Sequence, residues 1–251
     1  SGSDSSPTCS EAQPCGTWNH VRPLMQSGDT LYFRQGSYAN ISINGQQQVA
    51  NGTSDSNRTL IAGYPGETVD IFEMGFTYNQ GVNYAGLSQY ITFKNFRVSG
   101  FGTSGCQYGL PLNMSCGAHY IRFQDIESTH PGTPAERFGA CAGGGFGSSH
   151  IEFINIEVHH CGLNNGNVAE GTPPGQGFYT WSPFNLYDSI HAHHNGGYGM
   201  QNYESTGAAT GCGLGSIVRN SYFHDNSIQT VYGNLQMDDG DDMQVYNNIF
   251  G

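Results

Sequence analysis

The side chains with most capacity for chemistry in this sequence are its ten histidines and a scatter of carboxylates. Two His-His pairs, His159-His160 and His193-His194, stand in the second half of the chain with His191 and His224. Imidazole, phenol and guanidinium groups can take or steer a proton, and His191, Tyr222 and Arg219 offer one of each. Paired carboxylates can divide the roles of acid and base, and Glu127, Glu157 and Asp188 recur roughly one structural period apart. The densest acidic run is Asp238-Asp239-Gly240-Asp241-Asp242. Calcium binds several oxygens at once, so this run is a candidate Ca2+ loop. It lacks EF-hand spacing, and a solvated acidic loop is the competing reading. Phe178-Tyr179-Thr180-Trp181 ends a long insertion, and its rings could form a platform for sugars or pack over the chain beneath.

Covalent chemistry is also written into the sequence. There are seven cysteines: Cys9, Cys15, Cys106, Cys116, Cys141, Cys161 and Cys212. The odd count leaves at least one unpaired or paired outside the chain, and no two form a Cys-x-x-Cys pair. The expectation is a disulfide-bearing extracellular protein, with buried thiols as the alternative. N-glycosylation sequons occur at Asn40, Asn51, Asn57 and Asn113. Roughly three would arise by chance at this composition, so the motif alone decides nothing. The first three lie in a polar stretch that reads as surface, and they are the expected acceptors.

These groups need a frame, and the frame is a repeat. Ile91-Thr-Phe-Lys-Asn-Phe-Arg-Val98, Ile121-Arg-Phe-Gln-Asp-Ile-Glu-Ser128 and Ile151-Glu-Phe-Ile-Asn-Ile-Glu-Val158 share one pattern. Asn185–Ala192, Ser216–Phe223 and Met243–Phe250 continue it, at steps of 30, 30, 34, 31 and 27 residues. Weaker copies begin at Thr30 and Thr59. Apolar residues alternate on either side of a break at Asn95, Asp125, Asn155, Ser189, Asn220 and Asn247. Each copy therefore reads as two short strands joined by a bend, with a polar side chain at the bend. Stacked rungs about 4.8 Å apart would let those side chains bond up the column. Cys161, Asn195 and Asn226 form a second such column. A one-residue slip would turn the apolar set outward, so six aligned copies specify the register. The expected fold is all-β: a single-stranded, loop-rich parallel β-helix solenoid of about eight coils of ~30 residues. It covers residues 15–251, preceded by an arm or linker over residues 1–14.

Cys15-Gly-Thr-Trp18, Ser27–Tyr38 and Ile61-Ala-Gly-Tyr-Pro-Gly-Glu67 resemble the opening coils of the right-handed, pectate-lyase-like β-helix superfamily. Val158-His-His-Cys-Gly162, Ala192-His-His-Asn-Gly196 and Phe223-His-Asp-Asn226 resemble its repeat signature. The resemblance implies the fold and handedness. It implies function poorly, because the superfamily hosts lyases, hydrolases, epimerases, adhesins and phage fibres. A lyase of this kind would use a Lys, Arg, His or Tyr as base beside a group that neutralises a uronate, and Arg219, Tyr222 and His191 suit that need. A hydrolase would need facing carboxylates, for which Glu157 and Asp188 are candidates. The superfamily's hydrolase motifs are incomplete: Gly240-Asp241-Asp242 resembles one, but the Asn-Thr-Asp and Gly-His-Gly motifs are absent.

The repeat places these residues in columns. Lys94, Gln124, Ile154, Asp188 and Arg219 form one outward column. Across the bend lie Arg97, Glu127, Glu157, His191 and Tyr222. The competing reading of this face is a solvated sheet with cross-rung ion pairs. His159, His193 and His224 stack in a further column beside His130, His160, His194 and Asp225. Metal ligands must converge on one point, whereas a ladder at strand spacing points its rings parallel, so the ladder reads as stacked imidazoles.

The net charge of −12, with 8 basic and 20 acidic residues, argues against nucleic acid and anionic membranes as partners. It also makes a densely charged polyanion harder to hold. No apolar run is long enough to span a bilayer, so membrane insertion is not expected. The pattern stops in mid-repeat at Phe250-Gly251, so the expected partners are a capping chain or further copies of the protein at an open end. Two functions follow as expectations. One is an extracellular scaffold module of a coat, fibre or filament, associating end to end. The other is a secreted polysaccharide lyase or hydrolase acting on a carbohydrate laid along the β-helix face.

Overall fold

The computed structural model describes residues 2–5, 8–43, 48–76, 88–100, 111–114, 117–130, 140–145, 147–163, 175–202, 213–228, 233–238 and 241–251. Cys106, Cys116, Cys212 and Asp239, and the side chain of Asn113, fall outside them. The fold is an all-β parallel β-helix in which every named strand pair runs parallel. Three sheets run along it.

The first sheet passes from Thr30–Phe33 to Thr59–Gly63 and on through the leading halves of Ile91–Val98, Arg122–Thr129, Glu152–His159 and Leu186–His193. It ends on Ile217–Arg219 and Gln244–Tyr246. The second sheet takes the trailing halves of the same long strands, preceded by the leading parts of Gly36–Ile43 and Val69–Phe76. It finishes on Tyr222–His224 and Ile249–Phe250. The third continues from Met74–Phe76 through Leu112–Met114, Ala142–Gly144, Phe178–Thr180, Met200–Asn202 and Leu235–Met237.

Residue type explains why the chain turns where it does. The bend between the first and second sheets falls on Asn95, Asp125, Asn155, Ser189, Asn220 and Asn247, all left-handed with φ between 53° and 62°. Asn and Asp tolerate that conformation better than other residues with a Cβ. Their side chains bond along the stack: Asn155 Nδ2 donates to Asp125 Oδ1 at 2.8 Å, and Asn247 to Asn220 at 2.5 Å. Ser189 is too short to continue the ladder, and Asn220 donates instead to Asp188 Oδ1 at 2.9 Å. A second left-handed corner is built from Tyr90, Tyr120, His150 and Phe184, whose rings stack at 5.0, 4.7 and 5.1 Å. A third uses His160, His194 and Asp225.

Inside, like packs on like. Phe93, Phe123, Phe153 and Tyr187 are fully buried and stack at 5.3, 5.3 and 5.4 Å. Each such side chain contributes about 1.5–3 kcal/mol by leaving water. Tyr187 brings a hydroxyl into this column, where it donates to Thr180 Oγ1 at 3.0 Å; burial pushes its phenol up to about 12. Phe178 meets Phe153 and Tyr187 edge-on from the third sheet.

The segment before the first coil folds back on itself. Cys9 is disulfide-bonded to Cys15, and Asp4 Oδ1 accepts from the amides of Gly16 and Thr17 at 2.9 Å each. Thr17 in turn caps the short helix Trp18–Val21. A second disulfide, Cys141–Cys161, ties the start of a third-sheet rung to the corner after a second-sheet strand. Among the described residues no helix is long and apolar enough to cross a membrane.

Candidate functional site

The outward face of the second sheet carries two columns side by side. Arg97, Glu127, Glu157, His191 and Tyr222 are in register, and so are Thr129, His159, His193 and His224. Strand alternation brings both columns out on the same side, because positions two apart share a face. Beyond the third corner stand His160, His194 and Asp225. The stacking expected from the repeat is present: His159 lies on His193 at 5.2 Å, His193 on His224 at 5.2 Å, and His160 on His194 at 5.4 Å.

The ladder is also bound to carboxylates one rung back. His159 Nε2 lies 3.2 Å from Glu127 Oε1, and His193 Nε2 lies 3.0 Å from Glu157 Oε1. A carboxylate only accepts, so in the neutral rings Nε2–H donates and Nδ1 is left as the acceptor. That acceptor is met by the next ring, His160 Nδ1 at 2.7 Å and His194 Nδ1 at 2.8 Å. The bond from His193 holds the Glu157 carboxyl below the usual carboxylate range. Burial lowers the pKa of His191, His193 and His160, with neighbouring imidazoles adding to it.

His191 departs from the ladder. Its ring leans toward His193, with centroids 4.3 Å apart and planes tilted by 38°. Its Nε2 is 2.9 Å from His224 Nε2, and its Nδ1 faces Glu157 Oε1 at 3.5 Å. Glu157, His191 and His193 thereby bring one candidate ligand atom each within 4.8 Å of the others. Parallel rings were expected; convergence arises because His191 belongs to the neighbouring column and reaches across. The spacing His191-Ala-His193 on one strand, with Glu157 one rung below His191, was the signal for it. Tyr222 covers His191 face to face at 5.6 Å and lies 4.2 Å from His224. Tyr222 is exposed, as much so as the His191 and Glu157 side chains beside it.

Arg219 and Asp188 lie on the other side of the polar bend. Arg219 Nε and Nη2 reach Asp188 Oδ2 at 2.8 and 2.7 Å, and Nη1 donates to the Tyr246 hydroxyl at 3.3 Å. Burial pushes the Asp188 carboxyl up, but bonds from Asn220, Arg219 and Ser189 outweigh it and hold the pKa below its usual value. Both sides of the bend carry the cross-rung ion pairs expected of a solvated sheet, Lys94 with Asp125 at 3.3 Å on this side and Arg97 with Asp70 at 2.9 Å on the second sheet.

The other sequence candidates are dispersed. Phe178 is fully buried in the core and Trp181 is 8 % exposed, so neither faces a sugar; Tyr179 alone of the three is half-buried. The packing alternative has a simple cause. Phe178–Thr180 is a third-sheet strand, and alternation turns Phe178 inward. Asp238 accepts from Gln236 at 2.8 Å and Gln201 at 3.3 Å, and Asp241 and Asp242 are exposed. Among the described residues these three carboxylates do not gather around one point. Asn40 and Asn57 are exposed; Asn51 is half-buried and accepts from the Gln89 amide at 3.1 Å.

No protein-family model matches the sequence, and no curated protein matches it. Solved structures do resemble it. The crystal structure of pectate lyase Pel9A superposes with a TM-score of 0.63 at 15% identity, over 90% of this chain and 52% of that one. A rhamnogalacturonan lyase gives 0.58 at 16% identity, over 98% of this chain and 61% of that one. The fold the chain shares with these structures is the parallel β-helix. The chain thus spans about half to three-fifths of the length of these β-helix structures.

Proposed function

We propose that this β-helix is an extracellular polysaccharide lyase that works on an acidic sugar chain laid across the second sheet. The observation that carries the reading is the exposed Tyr222 phenol stacked on the His191 and His224 imidazoles, with Glu157 bound to His191 one rung back and the Arg219–Asp188 pair across the polar bend. Elimination from a uronate needs a base for the proton beside the carboxylate and a cation facing that carboxylate. Tyr222 is the exposed proton acceptor of the cluster, and Arg219 supplies a guanidinium. The proton leaves the carbon beside the carboxylate for the base, a carbon–carbon double bond forms as the C–O bond to the neighbouring sugar breaks, and the departing sugar oxygen takes up a proton from the protonated base or water. Both structural neighbours carry lyase in their names, which supports the substrate class. Disulfides Cys9–Cys15 and Cys141–Cys161 support an oxidising, extracellular setting, in which the exposed Asn40 and Asn57 would be the acceptors for glycans.

The test is release of unsaturated oligosaccharides, followed by ultraviolet absorbance, from a panel of acidic and neutral polysaccharides. Tyr222→Phe keeps the stack and removes the hydroxyl, and it should lower turnover about 10²-fold or more with the fold intact. Absence of unsaturated product across the acidic panel, or full activity in that variant, would remove the reading.

A further inference from the structure

We infer that Glu157, His191 and His193 form a binding site for a divalent transition-metal ion of zinc's class. Three observations carry this. The first is the ligand set. Two imidazoles and one carboxylate are what such an ion accepts in sites that keep a fourth position for water. Calcium and magnesium, which prefer all-oxygen shells, are poor occupants.

The second is spacing. A tetrahedral ion with bonds of about 2.0–2.1 Å separates its ligand atoms by roughly 3.3 Å. Glu157 Oε1 lies 3.0 Å from His193 Nε2 and 3.5 Å from His191 Nδ1, which brackets that value. Glu157 and His191 are both about two-fifths exposed, so the side away from the sheet is open to water.

The third is an electron-rich contact that the hydrogen-bond chain leaves behind. The Asp225 carboxylate accepts from His224 Nδ1 at 2.8 Å, so a neutral His224 presents its Nε2 lone pair to His191. His191 Nε2–H must then donate across the 2.9 Å contact. The lone pair of His191 Nδ1 is left facing the Glu157 carboxylate oxygen. Two electron-rich atoms aimed at each other call for a positive charge between or beside them. A metal ion supplies it, replacing the proton on His193 Nε2. The outer partners stay in place: His194 bonds His193 Nδ1 and His224 bonds His191 Nε2, which fixes each ring's orientation in the manner of outer-shell groups at metal sites.

The site does not depend on the lyase reading, since it needs neither Tyr222 nor Arg219. The experiment is a titration of chelator-treated, disulfide-intact protein, without an affinity tag, by Co2+ and then by competing Zn2+. Visible absorption reports the cobalt geometry and calorimetry the stoichiometry. One equivalent should bind with the intense bands of tetrahedral cobalt, and Zn2+ should displace it. Glu157→Gln and His193→Gln should each weaken binding at least tenfold while circular dichroism stays that of the wild type. Tyr222→Phe should bind metal normally whatever it does to sugar turnover. A titration with no stoichiometric binding overturns the inference, as does one that both ligand substitutions leave unchanged.

Discussion

A single side chain on this surface acts through the rung below it. Asp188 shows this most directly, because Arg219 and Asn220 both reach back to its carboxylate. Its pKa is held below 3.8, so the unfolded chain binds the proton more tightly than the folded one. The stabilisation is therefore present above the ordinary carboxylate pKa and is lost as the pH falls through the folded value. Asp188→Asn should be less stable than the wild type to urea at about pH 6, and the gap should shrink at about pH 3. Equal penalties at both values would show that the Arg219 pair contributes nothing. The histidines His119 and His150 have the opposite charge sign. Burial lowers both, so protonation favours the unfolded state and their contribution fades as the pH drops below 6.5. Much of the Asp188 pairing was legible, since aligned copies put Asp188 and Arg219 in one column. The lean of His191 was not, because column alignment fixes which face a ring leaves from and not the rotamer it takes.

At the scale of the rung, the corner decides the path. The polar corner was readable because Asn and Asp announce a left-handed residue. The aromatic corner was hidden: Tyr90, Tyr120 and Phe184 are poor left-handed residues, and ring stacking, the surrounding sheets and the Arg58 guanidinium, which donates to the Tyr120 carbonyl at 2.7 Å, hold the corner there. Phe178–Trp181 was left open between platform and packing for a related reason. A short third-sheet strand after a long loop offers too few residues to reveal which side turns inward. The corner makes a measurable demand. Asn155→Val places a β-branched side chain at φ 53° and removes the bond to Asp125. It should cost about 1–2 kcal/mol or more. Asn155→Gly, which loses the bond but not the conformation, should cost less. Chemical denaturation of the two variants separates strain from hydrogen bonding; a Gly variant as damaged as the Val variant would place the cost in the bond alone.

Among the described residues the strands pair only with the rungs next to them, so stability is close to a sum of coils and their interfaces, with Arg58 reaching further along the stack to Tyr120 and Glu152. Phe123 sits between Phe93 and Phe153, and Phe123→Ala should cost about 3–5 kcal/mol. The loss should be uneven. Hydrogen exchange should rise first in the rungs of Ile91–Val98 and Glu152–His159, and less at Gln244–Tyr246. A uniform rise along the chain would mean that the solenoid unfolds as one unit.

The corners carry one more consequence, for how such a chain can change its length. Tyr90 and Tyr120 sit at the same position of successive coils with φ of 53° and 54°. Excising residues 91–120 would therefore join Tyr90 to Ile121 with the backbone already bent as the next strand requires. The shortened chain should keep the sheet signature and melt cooperatively. Removing one residue fewer would turn the inward side chains of the following rung toward water. Length in this architecture is quantised: it is gained or lost by the coil, and the genetic events that such a protein tolerates best are duplications and deletions of a whole turn.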